Sequence, residues 1–148
     1  MTTGQWVLVV SLVVAVGLGA YRIWGNGRFS GTRRVAGAET DGAVESAGVL
    51  DGHDLEAELG SRATLLQFSS AFCAPCRATR RVLAEIAEVV PGVAHVEVDA
   101  EQHLDLVRRL GVLRTPTTLV LDASGREVTR AAGAPRKEQV LAALAGAV

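Results

Sequence analysis

The stretch Thr64–Cys76, TLLQFSSAFCAPC, indicates the fold because a short apolar run passes directly into two closely spaced cysteines. Thr64–Ser69 has the length and apolar content of a buried strand. Ala78–Val90 then has apolar residues at helical spacing, and Pro91 follows as a stop. The two cysteines therefore lie where a strand gives way to a helix.

Cys73 and Cys76 are the two cysteines among 148 residues, and their C-x-x-C spacing points to chemistry at a single place. At a helix N-terminus, free N–H groups and the helix dipole favour a Cys73 thiolate, the form that attacks disulfides. Cys76, one turn later, is near enough to resolve a mixed disulfide. Pro75 fits the first turn without costing a helical hydrogen bond.

Two other interpretations of the cysteine pair are a structural zinc site and two buried thiols. Zinc normally needs four ligands. The sequence has no second C-x-x-C, and its three histidines are scattered. No metal is therefore expected. The net charge of -1 gives no indication of a nucleic-acid partner.

The remaining pattern predicts three strands and three helices around this unit, which together give an α/β sandwich with a central mixed sheet. Thr115-Pro116-Thr117 opens one of these strands, where proline is disfavoured unless its position is special. A cis bond before Pro116 would explain it, although an ordinary trans proline is the simpler interpretation. The further predicted helices are Asp51–Leu59, Glu101–Leu110 and Pro135–Leu144, and the strands are Val93–Val98, Thr117–Leu121 and Glu127–Ala132.

Together these features resemble the thioredoxin family. Cys73-Ala-Pro-Cys76 is similar to its C-G-P-C, Gly111–Thr117 (GVLRTPT) to its G-x-x-x-x-P-T, and Gly133 to its late glycine. The resemblance covers about residues 49–148. It implies a thioredoxin-like fold and thiol–disulfide exchange with protein disulfide or dithiol substrates. It also implies no cofactor beyond the redox-active pair, and a separate protein as electron donor or acceptor.

The resemblance also implies roles for individual residues. Cys73 would attack and Cys76 would resolve. Pro116 would be a cis-proline packed beside the disulfide. The backbone at Thr115 would pair with the substrate chain as an added strand.

Several positions near the cysteines depart from the family pattern. Phe72 replaces a usual tryptophan, and Ala74, followed by Pro75, replaces a usual glycine. Gln67 stands where thioredoxins carry a buried aspartate, and His95 is matched to the lysine facing it. An amide cannot accept a proton from the resolving thiol as a carboxylate can. The paired change is either a neutral replacement for an ion pair or a change of packing, so the direction of electron flow is left open.

The N-terminal stretch Trp6–Ile23 is apolar except for Ser11 and Arg22. As a helix it would be roughly 27 Å long, close to the ~30 Å hydrocarbon core of a bilayer. We expect residues 1–24 to form a retained transmembrane anchor. The alternative, a cleaved signal peptide, would normally begin with basic residues, which this leader lacks. Residues 25–48 are predicted as a flexible linker and 49–148 as the thioredoxin-like domain.

The arginines after the span favour a single-pass membrane protein with its catalytic domain in the cytoplasm. An extracytoplasmic domain is the alternative, and there the same chemistry would serve disulfide oxidation, isomerisation or maturation of exported proteins. A second alternative is a binding module that keeps the fold and holds a partner near Thr115. The sequence does not indicate the substrate.

Overall fold

The computed structural model of the chain describes residues 3–25, 27–31, 49 and 59–147. Most of the predicted helix Asp51–Leu59 lies outside these ranges. The helices and strands, in chain order, are α1 Thr3–Gly25, β1 Phe29–Gly31, β2 Ala63–Ser69, α2 Ala74–Val89, β3 Val93–Asp99, α3 Leu104–Arg109, β4 Thr117–Asp122, β5 Glu127–Ala132 and α4 Lys137–Ala145.

One mixed sheet organises the domain, with strand order β1-β5-β4-β2-β3. Strand β2 pairs parallel with β3 and antiparallel with β4, and β4 pairs antiparallel with β5. The predicted thioredoxin-like fold with a central mixed sheet is confirmed. All seven residues of β2 are buried, because helices cover both faces of a strand that has neighbours on both edges.

Two apolar clusters lie on opposite faces of the sheet. Leu65 packs with Leu83 and Ile86 of α2 on one face. Leu66 and Phe68 belong to a second cluster, which includes Leu106 of α3. Because successive side chains of a strand point to opposite faces, Gln67 lies on the same face as Leu65, under α2. This placement brings a polar side chain beneath the start of that helix.

The segment directly after α1 differs from its sequence prediction. Phe29–Gly31, inside the stretch predicted as a flexible linker, forms an edge strand paired antiparallel with β5. The Gly27 amide also donates to the Ala132 carbonyl at 3.0 Å. Phe29 is the aromatic residue of an otherwise small and polar stretch, and it packs on the Leu65 cluster. The linker prediction rested on the overall composition of residues 25–48, in which a single aromatic residue has little weight. Residues 32–48 lie outside the described ranges.

Helix α1 carries apolar side chains that are exposed along its length. Within it, Gly4–Arg22 is long and apolar enough to cross a membrane, and none of this window is buried against the domain. Length and composition alone fit a membrane span or a signal sequence.

Gly27 provides a test of the β1–β5 pairing. Its φ is +78°, and a Cβ there would overlap the carbonyl of Ala134. Gly27→Ala should therefore open β1 from β5, since a non-glycine residue in this backbone region costs roughly 1–3 kcal/mol even without a clash. We expect amide hydrogen exchange in β1 and β5 to accelerate roughly tenfold or more.

Gly17→Ala is the matched control, because a Cβ at Gly17 meets nothing within 4 Å. Unchanged exchange in β1 and β5 of the Gly27→Ala protein would contradict the described pairing.

Candidate active site

Cys73 and Cys76 form a disulfide at the N-terminus of α2, with their Cα atoms 5.2 Å apart. Cys73 is the N-cap residue, and its Sγ accepts a hydrogen bond from the Cys76 amide at 3.1 Å. Pro75 lies in the first turn of the helix, where its missing N–H removes no helical bond. The structure places the cysteine pair at the junction between strand β2 and helix α2, as the sequence predicted.

The two sulfurs differ in access. Cys76 is 3% exposed, whereas Cys73 is only partly buried. Ala74 and Pro75 between them are exposed. Phe72, which stands where the family usually has tryptophan, is 99% exposed. An incoming sulfur can therefore reach Cys73 directly but not Cys76.

The loop before β4 lies beside the cysteine segment. The Thr115–Pro116 peptide bond is cis, the geometry that the resemblance implies for Pro116. The hydroxyls of Thr115 and Ser70 are 3.0 Å apart, and the Ser70 carbonyl accepts from the Cys73 amide at 3.3 Å. Ser70 thus connects the proline loop to the disulfide. Ser70 carries no signal in the sequence that would mark it as a site residue.

Gln67 links the cysteines to the opposite strand through neutral groups. It is fully buried, and its Nε2 donates to the Cys76 carbonyl at 3.0 Å. Its Oε1 therefore faces His95, whose Nε2 lies 3.2 Å away and donates to it. The structure brings together these two positions, which the sequence analysis had paired.

The register of β2 against β3 places Glu97, a residue not predicted from the sequence, next to the site. Glu97, not His95, is the direct neighbour of Gln67 on β3. Arg80 of α2 contacts both carboxylate oxygens of Glu97, at 2.8 Å and 2.6 Å. The alternation of β3 could have revealed Glu97, because residues two apart share a face.

A cavity of about 430 Å³ opens beside the disulfide. The residues around it come from the end of β2, the start of α2 and the end of β3. They are Ser69, Ser70, Ala71, Cys73, Cys76, Arg77, Arg80, Glu97 and Asp99. Buried Cys76 therefore borders a polar space that also contains an ion pair.

The sequence profile of the family described as Thioredoxin matches residues 48–146. The chain belongs to the thioredoxin family. It is 32% identical over 98 residues to thioredoxin from Alicyclobacillus acidocaldarius subsp. acidocaldarius, covering 66% of this chain and 92% of that protein. It is 32% identical over 92 residues to thioredoxin H4-1 of Oryza sativa subsp. japonica, covering 61% and 70%.

Solved thioredoxins share the fold. Thioredoxin F from spinach chloroplast superposes with a TM-score of 0.53 at 25% identity, covering 60% of this chain and 78% of that one. Fasciola hepatica thioredoxin also gives a TM-score of 0.53, at 24% identity, covering 60% and 84%. This thioredoxin family member is a thiol–disulfide oxidoreductase with the C-x-x-C pair Cys73–Cys76.

Two titratable groups near the disulfide, His95 and Glu97, have shifted pKa values. Desolvation lowers the pKa of His95, with the charge of Glu97 opposing that shift and Arg80 adding to it. Burial acts to raise the pKa of Glu97, but hydrogen bonds from Arg80 and Ser69 and the charges of Arg80 and His95 together lower it. His95 is therefore neutral and Glu97 ionised near neutral pH.

Among the described residues, no group of three or more His, Cys, Asp or Glu could hold a metal ion.

Because the pKa of His95 is lowered in the folded domain, we expect the stability of the fold to decrease as the pH falls. The unfolded chain binds this proton near about pH 6.5, whereas the folded domain binds it only at lower pH. The unfolded state therefore holds more protons below about pH 6.5, and the folded state loses stability as the pH falls through that range. His95→Gln should reduce the drop in thermal midpoint between about pH 7.5 and about pH 5.5.

The measurement uses the full chain in detergent with the disulfide intact. His103→Gln is the matched control, since His103 contacts the Asp99 carbonyl instead. An equal drop in midpoint for the parent and His95→Gln would show that His95 does not carry this effect.

Proposed function

We propose that this chain is a membrane-tethered exchanger of protein disulfides in which Cys73 attacks and Cys76 resolves. The observation that carries the proposal is the unequal access of the two sulfurs. Cys73 is partly exposed at the helix N-terminus and Cys76 is 3% exposed behind it. A substrate sulfur therefore meets Cys73 first. Cys76 is buried, so its sulfur can attack only within the protein, at the sulfur of Cys73.

The exchange balances without another cofactor. In the reduced protein the Cys73 thiolate attacks one sulfur of a substrate disulfide and expels the other, which takes up a proton. Cys76 then loses its proton, and its thiolate attacks the Cys73 sulfur. The bond to the substrate breaks, the released thiolate takes up a proton, and the substrate leaves as a dithiol. Two electrons pass to the substrate, and a separate dithiol protein must restore the pair. The reverse sequence oxidises a dithiol.

Gln67 and His95 act as positioning residues in this proposal. The amide of Gln67 holds the Cys76 carbonyl at 3.0 Å, and His95 fixes the orientation of that amide. Neither contact reaches the Cys76 sulfur, and an amide cannot accept its proton. The proton of Cys76 instead leaves through the cavity that both cysteines line.

The loop before Pro116 supports binding of an extended substrate. Ser70 bridges Thr115 to the cysteine segment, so a chain paired with the backbone of Thr115 would run past Cys73. Each of the two segments carries an exposed apolar side chain: Phe72, next to Cys73, is 99% exposed, and Leu113, two residues before Thr115, is 95% exposed. Apolar residues beside the substrate cysteine would fit this surface.

The membrane tether is proposed from α1. Its window Gly4–Arg22 has a mean hydropathy of 1.8 and is not buried against the domain. Arg22 is the last residue of this window, and Arg28, Arg33 and Arg34 follow it. Residues 1–21 contain no Lys or Arg. This distribution favours a cytoplasmic catalytic domain.

Trapping tests the roles of the cysteines. Cys76→Ser should accumulate a mixed disulfide with substrate proteins, because the resolving thiol is missing. Cys73→Ser should trap nothing and should reduce insulin at least about 100-fold more slowly than the parent, since the accessible nucleophile is gone. Non-reducing gels and insulin turbidity provide the two measurements. Insulin reduction by Cys73→Ser at the parent rate would refute the assignment.

A reporter fusion tests the tether and its orientation. Full-length chain with alkaline phosphatase after Val148 should remain in the membrane fraction after alkaline extraction and should lack phosphatase activity, which requires export. The same reporter behind a cleaved export signal is the positive control. An active, membrane-bound fusion would place the domain outside. Release of a shortened chain would show that α1 is a signal sequence.

A further inference from the structure

The end of α1 is fixed close to the sheet. Gly25 is the last residue of α1, and one residue separates it from Gly27. The Gly27 amide bonds to the Ala132 carbonyl at 3.0 Å. Consecutive Cα atoms are about 3.8 Å apart, so the end of α1 lies within about 8 Å of Gly27 whatever direction the helix takes.

The point of attachment is at the same end of the sheet as the disulfide. Ala132 is opposite Thr117 in the β4–β5 pair, and the Gly133 amide donates to the Pro116 carbonyl at 2.7 Å. Thr117 is in turn opposite Phe68, one residue before the end of β2. The chain thus passes from α1 to the sheet beside the proline loop rather than at the far end of the strands.

The distance across the sheet is short. Strand β1 is separated from β2 by β5 and β4, so three strand spacings of about 4.8 Å give about 14 Å. With the Gly25–Gly27 connection, the end of α1 lies within about 22 Å of the end of β2, where the cysteine segment begins. A free linker of 24 residues, as predicted for residues 25–48, could extend to about 80 Å.

We infer that the disulfide is held close to the membrane surface, so that its substrates are disulfides of integral membrane proteins adjacent to their own spans. This inference rests on the proposed tether and exchange activity, and adds a class of substrate to them. The exposed side chains of Phe72, next to Cys73, and Leu113, two residues before Thr115, fit such substrates, because segments next to a span are themselves partly apolar. A disulfide of a membrane protein that is held farther from the surface is beyond the reach of the domain.

Distance-graded substrates test the inference. Two designed single-span peptides carry the same C-x-x-C disulfide, one directly after the span and one beyond a helical spacer of about 40 residues, or about 60 Å. The spacer is rich in glutamate, and the vesicles contain anionic phospholipid, so that repulsion keeps the spacer off the surface. Reduced full-length chain is reconstituted with each peptide, and the rate of a single turnover is measured. We expect the near disulfide to react at least about tenfold faster than the far one.

Two insertions separate the role of β1 from that of linker length. A Gly-Ser insert of about 30 residues after Asn26 frees the domain from α1 and should raise the rate on the far disulfide at least about fivefold. The same insert after Ala38 should leave the preference unchanged, because β1 still holds the domain. Equal rates of the native chain on both peptides would overturn the inference. So would an insert after Ala38 that acts like the one after Asn26.

Two readouts identify which proposal fails. Insulin reduction in the same vesicles reports exchange, and flotation of the chain with the vesicles reports the tether. If either is lost in the native chain, the proposed function is wrong and the inference falls with it. If both are present and the distance preference is absent, only the inference is wrong.

Discussion

The burial of strand β2 is the constraint on which the rest of the domain depends. Its residues are enclosed by β3 and β4 at the edges and by apolar clusters on both faces. A strand enclosed in this way cannot shift by one residue without moving Gln67 to the opposite face. The register therefore sets where the chain leaves the sheet, and hence where Cys73 begins α2. The position of the reactive sulfur follows from packing several residues earlier in the chain.

Two kinds of polar contact lie under α2. Gln67 and His95 form an uncharged chain to the Cys76 carbonyl, while Arg80 and Glu97 form an ion pair at the side of the cavity. The neutral chain needs no compensating charge in the buried position next to the disulfide. The ion pair is partly exposed, where the cost of desolvating charges is smaller. Neutral hydrogen-bonding groups thus occupy the fully buried position, and charged groups lie in the partly exposed wall of the cavity.

The sequence predicted the mixed sheet and the cysteine junction, because each leaves a local signal: short apolar runs and a C-x-x-C. The cis bond before Pro116 was implied by the resemblance to the family, since a proline at the start of a strand also fits an ordinary trans bond. It did not predict β1, since three residues paired to a distant strand are too few to show a period. It also missed the contact between Arg80 and Glu97, which depends on how α2 lies across β3. The exposure of Phe72 is a further case, because an aromatic residue in sequence gives no direction for its side chain.

Strand β1 has a consequence for how copies of this protein would behave at high concentration. An uncovered outer strand presents unpaired backbone groups that can bind the same strand of another molecule, which leads to aggregation. Here the chain covers the outer side of β5 with its own Phe29–Gly31. The outermost strand on this side of the sheet is therefore only three residues long, and an edge strand this short offers few unpaired backbone groups to a neighbouring copy.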